Sequence, residues 1–170
     1  MHTSKIGNLV IFASFALVIA FTTSPVLAQS PYGMERARAV GELTHEAIAQ
    51  ALQDEGRVSM SGGFFAFDKA DLTETSSEVL FKVAKAMESI PELRMVIVGH
   101  TDATGDFDYN LDLSQRRADA VRTALLGEPY NVEAKRLVAL GVGQIAPVAS
   151  NKSEEGQALN RRVEFIVIAN

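Results

Sequence analysis

Two charged side chains, Asp102 and Arg117, stand in a setting where charge is expensive. They belong to Gly99-His-Thr-Asp-Ala-Thr-Gly-Asp-Phe-Asp-Tyr-Asn-Leu-Asp-Leu-Ser-Gln-Arg-Arg-Ala118, a run that reads as strand end, polar loop and helix start. Leu113, Arg117, Val121 and Leu125 recur every fourth residue with Ala118 and Ala124 beside them, which is the inward stripe of an amphipathic helix. Arg117 occupies an aliphatic register in that stripe, whereas Arg116 can turn to solvent. A guanidinium is always charged, so one that is poorly hydrated needs an anion of matching shape. Asp102, at the exit of the preceding strand, is the obvious candidate. Two arrangements satisfy this chemistry. The pair can be internal, stapling loop to helix, or it can be a clamp in which Asp102 takes a ligand ammonium and Arg117 a ligand carboxylate.

The elements that must position these groups follow from periodicity. Met95-Val-Ile-Val98 is a continuous apolar run suited to a central strand, here taken as 94–98. Residues 35–55 form a helical stripe ended by Gly56, expected to pack on the domain or, as the lesser alternative, to make a dimer contact. The first strand is placed within 58–67, with Gly62-Gly63 as a bulge or bend. A helix with Leu80, Val83, Ala84, Met87 and Ile90 inward follows a cap at Thr73 or Thr75 and stops at Pro91. A helical turn is expected in 132–136 and a short strand over 137–143. An irregular loop through Pro147, Asn151 and Gly156 follows, with 150–157 exposed, and a closing strand covers 162–168. The order βαβαββ predicts an α+β domain of two layers, helices on one face of a mixed sheet, with an extra N-terminal helix.

The 170 residues suffice for one core-bearing domain. Residues 1–28 have the pattern of a secretory signal peptide: Lys5, an apolar segment from Leu9 to Phe21, and small residues at Val26-Leu27-Ala28. The apolar core of that segment is shorter than the ~20 residues a spanning helix needs, so cleavage is favoured over a retained anchor. The domain plan is therefore a signal at 1–28, a leader and helix at 29–57, and a domain at 58–170. Without the signal, 15 basic and 21 acidic side chains remain, net −6, which argues against a nucleic-acid partner. No cysteine is present, so neither a disulfide nor an N-terminal lipid on Cys is available. The expected address is the periplasm, with no stable membrane anchor after cleavage.

The spaced pattern G-H-T-D-x-x-G-x-x-x-Y-N-x-x-L-S-x-R-R-A-x-x-V over 99–121, with Asn160-Arg-Arg-Val-Glu-Phe165 near the end, resembles the signature of the OmpA-like C-terminal domain family. Gly141-Val-Gly143, Pro147 and Asn151-x-Ser153-x-x-Gly156 fill the intervening positions, and Phe67-Asp68 to Leu72 resembles the family's F-D segment. That resemblance implies non-catalytic binding of peptidoglycan through meso-diaminopimelate, with Asp102 on the ligand's ammonium and Arg117 on its carboxylate. Asn110 and Arg161 match further positions that support or line that site, and Thr101, beside Asp102, completes the ligand-binding candidates. It leaves room for other envelope proteins or a second copy as partners. Where the family often carries Arg, this chain has Gln157. The N–H groups at the start of the motif helix are expected to help hold the ligand carboxylate.

Other chemistries find less support. A hydrolase acting on wall peptides or glycans would need His100 and Asp102 as acid and base, but no nucleophile or second carboxylate is evident. No cofactor is implied and a metal site is not expected, since His45 and His100 lack partners at ligand spacing. Asp106, Asp108 and Asp112 read as a solvated acidic loop rather than a calcium site. Gly141-Val-Gly-Gln-Ile-Ala146 matches a dinucleotide loop only formally, because Pro147 follows and no helix begins. His100 is expected to sit in the loop, bonding its own backbone and shaping the presentation of Asp102.

Overall fold

The computed structural model describes residues 38–39, 44–66 and 68–168. The expected signal peptide and leader fall outside them, and so does the start of the helix expected over 35–55, apart from two residues. Those two, Arg38–Ala39, form β1. They rule out a helix starting at 35, because α1 spans only His45–Asp54, capped by the Thr44 hydroxyl accepting from the Ala47 amide. Thr44 is a β-branched cap residue whose oxygen satisfies an otherwise unpaired amide of the first turn. Ile48, Ala51 and Leu52 of α1 are buried in the core, so this helix packs on its own domain.

The remaining elements are β2 (Arg57–Ser61), α2 (Glu74–Ser89), β3 (Met95–His100), α3 (Phe107–Leu126), a 3-10 turn at Ala134–Arg136, β4 (Leu137–Gly143), α4 (Glu154–Asn160) and β5 (Arg162–Val167). The sheet order is β1-β2-β5-β3-β4. β5 lies antiparallel to both β2 and β3, while β3 and β4 run parallel with α3 as their crossover. The architecture is the mixed two-layer α+β arrangement expected from the element order. Among the described residues no helix is long and apolar enough to cross a membrane.

One sheet face carries Val58, Met60, Met95, Ile97, Leu137, Val163 and Phe165, all buried against the stripes of α1, α2 and α3. Burial of such side chains contributes roughly 1.5–3 kcal/mol each and dominates the stability of the fold. α2 begins at Thr73, which shares a reciprocal capping box with Ser76. α3 lies very close to the sheet. A Cβ on Gly99 would meet the Ser114 carbonyl oxygen at 2.3 Å, and one on Gly141 would meet the Gln115 amide nitrogen at 2.2 Å. Those two glycines bring the motif helix down onto β3, which carries the motif loop, and onto its neighbour β4.

Two stretches depart from expectation. β2 ends at Ser61, and Phe65 makes only an isolated bridge to Leu72, because 64–73 folds back as a tight loop with the Ala66 amide on the Asp71 carbonyl. The stretch 150–157 is not wholly an exposed loop. Ser153 caps α4 by accepting from the Gly156 amide, and Gly156 is buried where any Cβ would lie 2.0 Å from the Ser150 carbonyl oxygen.

Candidate functional site

An open cavity of about 840 Å³ lies where the 62–69 loop, the β3–α3 loop, α3 and α4 converge. That size falls within the roughly 300–1,000 Å³ of small-molecule sites. Asp102, Arg117, Asn110, Thr101 and Arg161 all line it, so the five candidates meet in one place.

Arg117 is turned inward and only 7% exposed, as its register requires. Its guanidinium lies over the Phe65 ring, 5.0 Å from the centroid, and Nε donates to the Lys69 carbonyl at 2.9 Å. The tight 64–73 loop, in which Asp68 adopts a positive φ of 56°, delivers that carbonyl. Among the described residues this is the only hydrogen bond Arg117 makes, so the terminal Nη donors are unspent. Burial lowers the Arg117 pKa from its usual value, and the nearby Asp68 charge works in the opposite direction.

Asp102 does not pair with Arg117, and the internal staple allowed by the sequence is not formed. Oδ1 of Asp102 accepts from the Thr104 amide at 2.8 Å, closing a local turn, and Oδ2 accepts from Arg161 Nη1 at 2.6 Å. Burial pushes the Asp102 carboxyl upward, but the Arg161 and Thr104 bonds outweigh it and hold the pKa below its usual value. Asn110 braces the same loop, its Nδ2 donating to the Thr104 carbonyl at 2.9 Å and to Gln144 Oε1 at 3.0 Å. Thr101 is 5% exposed, and its Oγ1 has no hydrogen-bond partner among the described residues.

The closing Asn-Arg-Arg motif divides its labour by alternation along the chain. Asn160 is fully buried and its amide fastens the preceding loop: Oδ1 accepts from Val148 and Ala149 amides, and Nδ2 donates to Asn151. Arg161 points to Asp102. Arg162 points beneath the site, where Nε and Nη2 both bond Glu164 Oε1 at 2.7 and 2.6 Å. Gln157 donates to the Asn151 carbonyl, tying α4 to the same loop.

His100 overturns its expected role. It ends β3, is 4% exposed, and neither ring nitrogen is hydrogen-bonded among the described residues. Its Nε2 lies 3.5 Å from Glu164 Oε1. Burial and the Arg162 charge depress its pKa to about 4, against a smaller upward pull from Glu164, whose charge Arg162 already engages. The helix N-terminus differs from expectation too. Asp106 caps α3 by accepting from the Asp108 and Tyr109 amides, so those donors are used, and its carboxylate repels an anion there. Asp112 pairs with Arg116 on the exposed side. Among the described residues no cluster of three or more His, Asp or Glu is placed to hold a metal ion.

Sequence reasoning missed Phe65 beneath Arg117 and the buried Arg162–Glu164 pair. Phe65 had only its aromatic type as a signal, whereas Arg-x-Glu inside a closing strand is a usable one, since period-two spacing sends both side chains to one face.

The OmpA family model matches residues 64–161. The chain belongs to the OmpA family. Over 105 residues it is 45% identical to outer membrane porin F of Pseudomonas aeruginosa, covering 62% of this chain and 30% of that protein. The chain spans about half or less of the curated relatives it matches. Among solved structures it is similar to the cell wall anchor of the T6SS from Pseudomonas aeruginosa, with a TM-score of 0.60 and 30% identity, covering 80% of this chain and all of that one. It is also similar to the peptidoglycan-associated lipoprotein from Burkholderia pseudomallei, with a TM-score of 0.57 and 32% identity, covering 64% and 90% of the two chains.

Proposed function

We propose that the chain is a non-catalytic peptidoglycan-binding module of the cell envelope, exported by a cleaved signal at 1–28 and attached to the wall through meso-diaminopimelate of the peptide stem. The observation that carries this reading is Arg117: a buried guanidinium whose Nη donors have no partner among the described residues, lining the same cavity as Asp102 and Thr101, whose hydroxyl likewise has none among them. The free end of diaminopimelate is a zwitterion, with a carboxylate to fork onto Arg117 and an ammonium to reach Asp102. Relatives and neighbours named as wall-associated proteins support the same assignment.

Each charge-assisted bond contributes on the order of 1.5–3 kcal/mol, so one such clamp gives weak, reversible attachment. Asn110 and Arg161 then serve the site by fixing the loop and by countering the charge of Asp102. Hydrolysis is disfavoured because His100 is a nearly buried neutral ring with a pKa of about 4, and Asp102 is held by two donors.

The test is retention on purified sacculi. Wild-type protein binds diaminopimelate-type wall, and binds lysine-type wall less well because a lysine side chain lacks the terminal carboxylate. Undiminished retention by folded Arg117→Met and Asp102→Asn variants refutes the assignment.

A further inference from the structure

The geometry points to Arg161 as an internal competitor for the cavity, a built-in occupant of the ammonium position that holds down the affinity for amine-bearing ligands. This rests on the wall-binding reading above and assigns Arg161 a role opposite in sign to that of a ligand contact.

Three observations carry it. Each oxygen of Asp102 already accepts a bond, one from the Thr104 amide and one from Arg161 at 2.6 Å, so an arriving ammonium competes with a guanidinium for the same carboxylate. Arg117, across the cavity, still has donors to offer. The two partners of the Asp102 pair are also unequally buried, the carboxylate side chain being 11% exposed and the Arg161 side chain 43%. Arg161 can therefore let go and rehydrate at little cost, while its backbone stays pinned by the amide bond to the Gln157 carbonyl and by the inward anchor of Arg162.

Charge bookkeeping follows from this. A plain amine that enters exchanges one ion pair for another and gains almost nothing. A plain diacid finds Arg117 open and needs no exchange. A zwitterion places its carboxylate on Arg117, which offsets the release of Arg161 when its ammonium takes Asp102. Replacing Arg161 by a neutral residue leaves Asp102 unpaired and waiting. Amine-bearing ligands then bind more tightly, and diacids meet an uncompensated negative charge.

The experiment titrates the full chain, as wild type, Arg161→Gln and Arg161→Lys, with meso-diaminopimelate, with 1,5-diaminopentane and with pimelate, following binding by NMR. Arg161→Gln is expected to bind diaminopimelate and diaminopentane each about fivefold more tightly, the scale of a partly exposed ion pair, and pimelate no better than wild type does. Arg161→Lys retains a competing cation and is expected to stay near wild type. Wild-type binding of diaminopimelate that weakens in Arg161→Gln overturns the competitor role alone and makes Arg161 a direct contact or a prop for Asp102. Absence of diaminopimelate binding by all three proteins overturns both this inference and the function on which it rests.

Discussion

The two walls of the cavity solve the problem of buried charge in different ways. On the α3 side, Arg117 is nearly buried yet, among the described residues, bonded only to a backbone carbonyl and laid on an aromatic ring. On the side built by the β3–α3 loop, α4 and β5, the buried charges are paired internally: Asp102 with Arg161, and below them Glu164 with Arg162. One wall is complete without a ligand and the other is not. A protein concerned only with stability would fill the Arg117 position with an aliphatic residue, since an under-paired buried cation costs more than it returns. Under the proposed function, the contrast makes Arg117 on α3 the group left open for a ligand and Asp102 on the opposite wall a group already paired in the free protein.

That difference can be broken from either side, and the largest effect belongs to the supporting wall. Glu164→Ala leaves Arg162, itself 5% exposed, without its carboxylate. Stability by urea denaturation is expected to fall by about 3–5 kcal/mol, the usual consequence of stranding one member of a buried pair. A loss below 1 kcal/mol would show that the pair does not support this wall.

Next comes the acid response of His100. Its folded-state pKa of about 4 lies below the ordinary 6.5, so as pH falls the unfolded chain takes up the proton first. Its contribution is fully present above pH 6.5, is lost between 6.5 and 4, and is flat below that. The loss amounts to about 3 kcal/mol at 1.36 kcal/mol per pKa unit. Comparing urea stability at pH 7.5 and 4.0 isolates it: the drop is expected to be smaller in His100→Gln by that amount. Equal drops in the two proteins would contradict the buried neutral ring.

Substitutions at the two proposed ligand contacts, one on each wall, are read by affinity rather than by stability. Arg117→Met is expected to weaken diaminopimelate binding about 30-fold, roughly 2 kcal/mol, while leaving Tm unchanged or higher because thioether replaces an under-paired cation in an apolar stripe. A collapse of Tm would mean that Arg117 is structural. Asp102→Asn has the smallest expected effect, about fivefold in affinity, because the carboxylate is already paired in the free protein and exchanging partners gains little.

What the sequence made legible follows the range of the interaction concerned. The inward stripe of α3, the strand before it and the turn of Arg117 into the core all arise from neighbours within a few helical turns, and periodicity exposes them. The partner of Asp102 is Arg161, 59 residues further along the chain, and no local spacing encodes that choice. α4 escaped notice because seven residues with two leading glutamates and a glycine read as loop. Gly156 is there for close packing against Ser150, a requirement visible only once both segments are in place. His100 was misplaced for the same reason: the lid over it comes from Arg162 and Glu164 on another strand. The resemblance over 99–121 and 160–165 drew together the five site candidates, but which of them are bonded internally needed coordinates.

The most direct measurement is a crystal structure of the protein with meso-diaminopimelate. The account predicts ligand density bridging the walls, its carboxylate forked onto the Nη atoms of Arg117 and its ammonium on Asp102. A ligand seated elsewhere, or a saturating soak that leaves the Arg117 donors facing only water, would contradict it.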